Sequence, residues 1–311
     1  MRILILGAGA TGGYFGGRLA QSGVDVTFLV RSKRHQQLAR DGLRIESPVG
    51  DLTARINATT SDELTSVYDA VVLSSKAYDL AAAIEAVRPA VGKETVVLPL
   101  LNGMKHLDDL DLAFGAARVL GGTCHISVVI EDDGRVRHLG NFASLTQGPR
   151  SPEQKERSSR LDRELVRGGF EVRHSDDVIG AMWEKWVLLA TLAGSTCLMR
   201  ASIGEIVRTG AGAQLISNML DECCAVAVAS GYPPRSVALS IVRPTLTDPA
   251  SNISASMLRD IQRGGRIEAD HIIGDLIRRG HERAIPTPLL DIACMHLEAY
   301  QNRLKGVGAA S

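Results

Sequence analysis

The chain opens with Arg2-Ile3-Leu4-Ile5-Leu6, an apolar run of strand length, and passes directly into Gly7-Ala8-Gly9-Ala10-Thr11-Gly12 and a helical stretch, Gly13 to Gln21. A strand, G-x-G-x-x-G and a helix in that order restrict the fold more than any other feature of the sequence. Gly7 permits the tight turn, Gly9 admits a pyrophosphate against the backbone, and Gly12 lets helix and strand pack closely. The phosphates then meet the positive end of the helix dipole. A second strand over Asp25–Val30 completes a βαβ unit, so Gly7, Ala8, Gly9, Ala10, Thr11 and Gly12 are candidate contacts to a dinucleotide.

The end of that second strand selects the cofactor. An NAD site normally places a carboxylate about 20 residues beyond the glycines to bind the ribose hydroxyls, whereas a 2′-phosphate needs cations. Here the sequence is Val30-Arg31-Ser32-Lys33-Arg34, with no carboxylate until Asp41. NADPH is therefore expected, with Arg31 as the phosphate clamp because its planar fork bonds bidentately, and Ser32, Lys33 and Arg34 as helpers.

Beyond these motifs, short β-rich runs alternate with helical stretches up to about residue 175, the pattern of a Rossmann-type doubly wound sheet. Parallel strands are predicted at Arg2–Leu6, Asp25–Val30, Ala70–Ser74 and Thr95–Leu98. Leu43–Glu46 and Leu52–Ile56 flank the turn Pro48-Val49-Gly50-Asp51 and read as a hairpin. Val119–Ile130, Arg135–His138 and Ser144–Gln147 read as a meander, which predicts an antiparallel extension of the sheet. From 176 to 311 the periodicity is almost purely helical, with Val178–Met199 the longest stretch, so two domains are expected: 1–175 for NADP and 176–311 for substrate and catalysis. Only the tail from Gly306 to Ser311 is expected to fray. A ligand is predicted outside the carboxyl ends of the parallel strands, between the domains.

Thirty-five basic residues balance thirty-five acidic ones in 311, and 45% of the chain is hydrophobic. That balance gives no reason to expect a nucleic-acid or membrane-surface partner. Cys124, Cys197, Cys223, Cys224 and Cys294 form no C-x-x-C pair and are expected to be reduced. No metal site is expected. Without a signal peptide or a bilayer-length apolar run, the sequence reads as a soluble cytoplasmic protein, and a homodimer is left open.

Two further clusters follow predicted parallel strands. Lys76, in Ser74-Ser75-Lys76-Ala77-Tyr78-Asp79, is placed to pair with cofactor phosphate or ribose. Asn102, in Leu100-Leu101-Asn102-Gly103-Met104, is placed to bond both cofactor ribose and substrate. As bare residues they read as a solvated lysine and a turn-forming asparagine.

Together, G-A-G-A-x-G, S-K-A-Y-D, L-N-G-M, W-E-K and S-M-L-x-D-I followed by I-E-A-D resemble, in order and over essentially the whole chain, the 2-dehydropantoate 2-reductase (ketopantoate reductase) family. The resemblance implies NADPH-dependent reduction of a 2-oxo acid to a 2-hydroxy acid, the ketopantoate step of pantothenate biosynthesis. It makes Lys185 the catalytic lysine, Glu268 the acid that orients it, and Ser256 and Asn252 substrate-binding residues. The family's asparagines four and eight positions after the lysine are here Leu189 and Ala193, with Thr196 nearby as a partial substitute. The substrate pocket is thus expected to be more apolar than the family's. Two alternatives stay open: a reductase of another, more apolar ketone, and a non-catalytic NADPH-binding regulator.

Overall fold

The computed structural model describes residues 1–308, with side chains to residue 306. The N-terminal unit is built in chain order from β1 (Arg2–Leu6), α1 (Ala10–Gln21), β2 (Asp25–Leu29), α2 (Ser32–Asp41), β3 (Leu43–Glu46), β4 (Leu52–Ala54), β5 (Asn57–Thr59), β6 (Tyr68–Leu73), α3 (Leu80–Val87), β7 (Val91–Pro99), α4 (His106–Phe114), β8 (Gly121–Ile130), β9 (Val136–Gly148), α5 (Lys155–Leu165) and β10 (Glu171–His174). The first sheet is wholly parallel, in the order β5-β2-β1-β6-β7. Its central strands are continuous apolar runs because both faces are covered: Ile3 and Leu4 are fully buried, as are Ala70, Val71 and Leu73. Strand order reverses between β1 and β6, and the turns that leave these two strands, Gly7-Ala8-Gly9 and Ser74-Ser75, therefore flank the switch point.

The expected antiparallel extension forms a second, mixed sheet, β10-β9-β3-β4 with β8 on β9. The bridge Val97↔Val119 leads from β7 toward β8. The hairpin β3–β4 is present, pairing Leu43 with Ala54. Arg135–His138 and Ser144–Gln147, read apart in the sequence, are one strand, β9, with the register shift on β8 between Ile126 and Val128. The three-residue strand β5 is too short to show alternation, and periodicity missed it. Helix α1 is covered on several sides, so Tyr14 meets His138 and Phe15 meets Phe170, with ring centroids 4.7 and 4.8 Å apart.

The second unit comprises Asn102–Lys105 and the chain from Met182, the N-terminal unit holding the rest through Ala181. Its elements are α6 (Val178–Met199), whose first turn lies in the N-terminal unit, α7 (Ile203–Val207), α8 (Gly212–Ala229), α9 (Ser236–Thr247), α10 (Ser256–Gln262), α11 (Asp275–His281) and α12 (Pro288–Gly308). Five residues cannot display a helical period, so α7 was invisible to it. The capping box of Ser202 and Glu205 starts α7. Within the stretch of helical periodicity, Asp270–Gly274 is wound as a π-helical segment that runs into α11. α12 continues to Gly308, past the predicted fraying point at Gly306, and residues 309–311 lie outside those described. All five cysteines are free thiols. Among the described residues no helix is long and apolar enough to cross a membrane, and no cluster of side chains suits a metal ion.

Candidate functional site

In the N-terminal unit, Gly7 adopts φ +90, in the left-handed region open to glycine. Its N–H donates to Leu29 O at 2.9 Å, which ties the turn to the end of β2. At Gly12 a Cβ would stand 2.2 Å from Gly7 O and 2.3 Å from Ser74 Oγ, whereas at Gly9 it would meet nothing within 4 Å. One glycine is thus demanded by packing and the other faces open space. Helix α1 starts behind this space with no side-chain cap and no acidic residue in its first turn, which leaves its N–H groups and dipole for an anion.

The space is a cavity of about 460 Å³ lined by Gly7, Ala8, Gly9, Arg31, Arg34, Ser75 and Asp79, with the alanines of α3 and others. Ser75 Oγ is buried without a hydrogen-bond partner, an arrangement that natural proteins rarely leave unless a water or ligand satisfies it. Cradle, helix terminus and orphan hydroxyl together fit a dinucleotide. Of the residues predicted for it, Gly7, Ala8, Gly9 and Arg31 line the cavity. Ala10, Thr11 and Gly12 begin α1, while Lys76 stands just before the 3-10 turn Ala77–Asp79 and outside the lining.

The two arginines are held differently. Arg34 donates from Nε and Nη2 to Ala8 O at 3.2 and 2.9 Å, and from Nη1 to Gln37 at 2.7 Å. Burial, with Arg44 nearby, lowers its pKa against the pull of Asp133. Arg31 donates from Nη2 to Asp79 Oδ2 at 3.2 Å. Sequence reading missed Asp79 because that carboxylate lies 48 residues away and no local pattern links it to the end of β2.

In the helical unit, Lys185 sits in the first half of α6, and Glu268 stands at the entry to the π-helical segment. The two are 7% and 8% exposed. Trp186, beside Lys185, donates from Nε1 to Ile272 O at 2.8 Å, and Ile272 N donates to Glu268 O at 3.0 Å. These two bonds fix the lysine's helix against the glutamate's backbone. Glu184, the middle residue of W-E-K, accepts from the backbone and guanidinium of Arg235 and so ties α6 to the start of α9.

Asn102 lies in the helical unit. It follows β7 in sequence, but the segment Asn102–Lys105 belongs with the helices. There the His271 ring hydrogen-bonds the Asn102 backbone, and Lys105 pairs with Asp270 at 3.2 Å. Asn102 is not among the residues that line the cavity. His271, which sequence reading passed over, is buried, and its pKa is lowered by that burial against the opposing pull of Glu268 and Asp275.

Ser256 begins α10 and is exposed, as is Asn252 before it. Leu189 is half-buried and Ala193 2% exposed, one and two turns beyond Lys185. Thr196 is buried and its hydroxyl proton is spent within its own helix. Its Oγ1 donates to Leu192 O at 2.6 Å and accepts from the Ala255 N–H at 3.3 Å, which anchors the residue preceding Ser256.

Comparison with known proteins matches both units. The family profile of ketopantoate reductase PanE/ApbA covers residues 3–151, and the profile of that family's C-terminal part covers 177–301. The uncharacterized oxidoreductase YkpB of Bacillus subtilis (strain 168) is 34% identical over 301 residues, 97% of this chain and 99% of that protein. The crystal structure of a PanE/ApbA family ketopantoate reductase from Ralstonia eutropha JMP134 is 30% identical, covers 98% of this chain and 100% of that one, and superposes with a TM-score of 0.87. A D-mandelate dehydrogenase solved with NADH and anilino(oxo)acetate has the same fold, at a TM-score of 0.88, 24% identity and 98% and 100% coverage of the two chains.

Proposed function

The chain belongs to the ketopantoate reductase family, and from that premise we propose that it reduces a 2-oxo acid to the 2-hydroxy acid with NADPH. The observation that carries this reading is a lysine and a glutamate, Lys185 and Glu268, both buried in one helical unit on segments joined through Trp186 and Ile272. Burying ionisable groups is costly unless their charge is used or matched. The N-terminal unit supplies a glycine turn and an uncapped helix suited to a pyrophosphate.

When bound, NADPH supplies a hydride to the carbonyl carbon. Lys185 holds a proton at Nζ and gives it to the ketone oxygen as negative charge develops there, and is reprotonated from water afterwards. Glu268 orients that ammonium. Ser256, Asn252 and Asn102 are the polar groups assigned to the substrate, and Arg31 is the cation assigned to the 2′-phosphate.

The substrate class follows from α6. Leu189 and Ala193, four and eight residues after Lys185, give that face of α6 apolar side chains where polar ones would be needed, and a substrate hydroxyl set against them loses its water bonds without a new partner. An oxo acid with an apolar side chain is therefore the proposed substrate, in preference to ketopantoate.

The test is NADPH oxidation against a panel of 2-oxo acids. Lys185→Ala should lower turnover about a hundredfold or more and leave NADPH binding intact. Near-normal turnover of the variant rules out the lysine's role. Tight NADPH binding with no oxidation on any oxo acid returns the chain to the regulator reading.

A further inference from the structure

We propose that Asp79 sets how strongly the chain distinguishes NADPH from NADH, by competing with the cofactor's 2′ substituent for Arg31. The inference deepens the NADPH reading above and rests on it. Arg31, at the end of β2, and Asp79, at the end of the turn that follows β6, meet at 3.2 Å and line the same cavity. Their side chains are 83% and 35% exposed. A solvent-exposed ion pair of this kind contributes little stability and separates at small cost. Arg34 is already committed to Ala8 and Gln37, so Arg31 is the cation open to recruitment by a 2′-phosphate.

The two cofactors meet this pair with opposite consequences. A 2′-phosphate has to draw Arg31 away from Asp79 and then lies near a carboxylate of its own sign, which weakens the attraction that Arg31 provides. A 2′-hydroxyl is a hydrogen-bond donor, and Asp79 offers it the acceptor that the sequence at the end of β2 lacks. Asp79 thus takes, from across the cavity, the part a carboxylate ending β2 plays in an NAD site. One ion pair serves both cofactors, and the chain accepts NADH as well as NADPH.

The experiment measures NADPH and NADH dissociation constants by nicotinamide fluorescence on the full chain, for the unmodified protein, Asp79→Asn and Asp79→Glu, with thermal melts confirming that each is folded. Asp79→Asn keeps the side chain's size and removes its charge. It should tighten NADPH about threefold or more and loosen NADH, so the ratio moves by the product of the two, whereas Asp79→Glu should restore a ratio close to the original. An unchanged ratio in folded Asp79→Asn, or a shift toward NADH, overturns the proposal. Should the unmodified chain prefer NADH while Asp79→Asn still moves the ratio toward NADPH, the NADPH reading fails and the role of Asp79 stands.

Discussion

The indole N–H of Trp186 donates to the carbonyl oxygen of Ile272 at 2.8 Å, with both residues buried. Ile272 lies in the π-helical segment Asp270–Gly274, a rare local winding that recurs at functional sites. Through Ile272 N to Glu268 O at 3.0 Å, the bond relates the helix of Lys185 to the residue proposed to orient it.

Trp186→Phe keeps an aromatic ring and deletes the donor. The buried Ile272 carbonyl then loses a partner, which should cost about 1–3 kcal/mol of stability. If the bond also positions Lys185, turnover should fall about tenfold or more, since small misplacements of a catalytic group are expensive. NADPH affinity should not change. Chemical or thermal denaturation together with steady-state kinetics checks this. A stability loss with kcat untouched would reduce the bond to a purely structural one.

His271 gives the helical unit a pH dependence. Burial lowers its pKa in the folded chain, with Glu268, Asp275 and the Asn102 backbone opposing and Lys105 reinforcing. Below the ordinary value near 6.5, the unfolded chain therefore binds a proton that the folded chain resists, and stability falls as pH drops from about 6.5 toward the lowered value. Above that range the contribution is complete. Melting temperatures of the unmodified chain and His271→Gln between pH 7.5 and 5 should diverge in slope, with the variant the flatter of the two. Parallel slopes would remove His271 from the acid response.

Introducing Leu189→Asn and Ala193→Asn together should move substrate preference toward ketopantoate. Relative catalytic efficiencies on ketopantoate and on an oxo acid with an apolar side chain provide the measure. Because Ala193 is only 2% exposed, the added amide also crowds a packed position, and some stability loss, about 1–3 kcal/mol, is expected alongside. Efficient ketopantoate reduction by the unmodified chain, about 10⁴ M⁻¹s⁻¹ or more, would contradict the apolar-substrate reading.

What the sequence determined was local or periodic. The strand, glycine turn and helix at Arg2–Gln21 are adjacent in the chain and impose their own geometry, so they identified the parallel sheet and its glycine turn independently of distant contacts. The length and continuous period of Val178–Met199 likewise identified the long helix α6, and ordered motifs pointed to Lys185 and Glu268. Tertiary structure decided whatever depends on partners far along the chain. Asp79 reaches Arg31 only because β6 lies two strands from β2 in the sheet. Asn102 joins the helical unit only because a buried histidine holds its backbone, and Gly103, at φ +76, can lie where a Cβ would stand 2.9 Å from His271 O. Thr196 is engaged by the Ala255 N–H, 59 residues further along the chain. Side-chain type and spacing carry the first kind of information. The second kind resides in pairings between residues tens of positions apart, for which a single sequence holds no periodic signal.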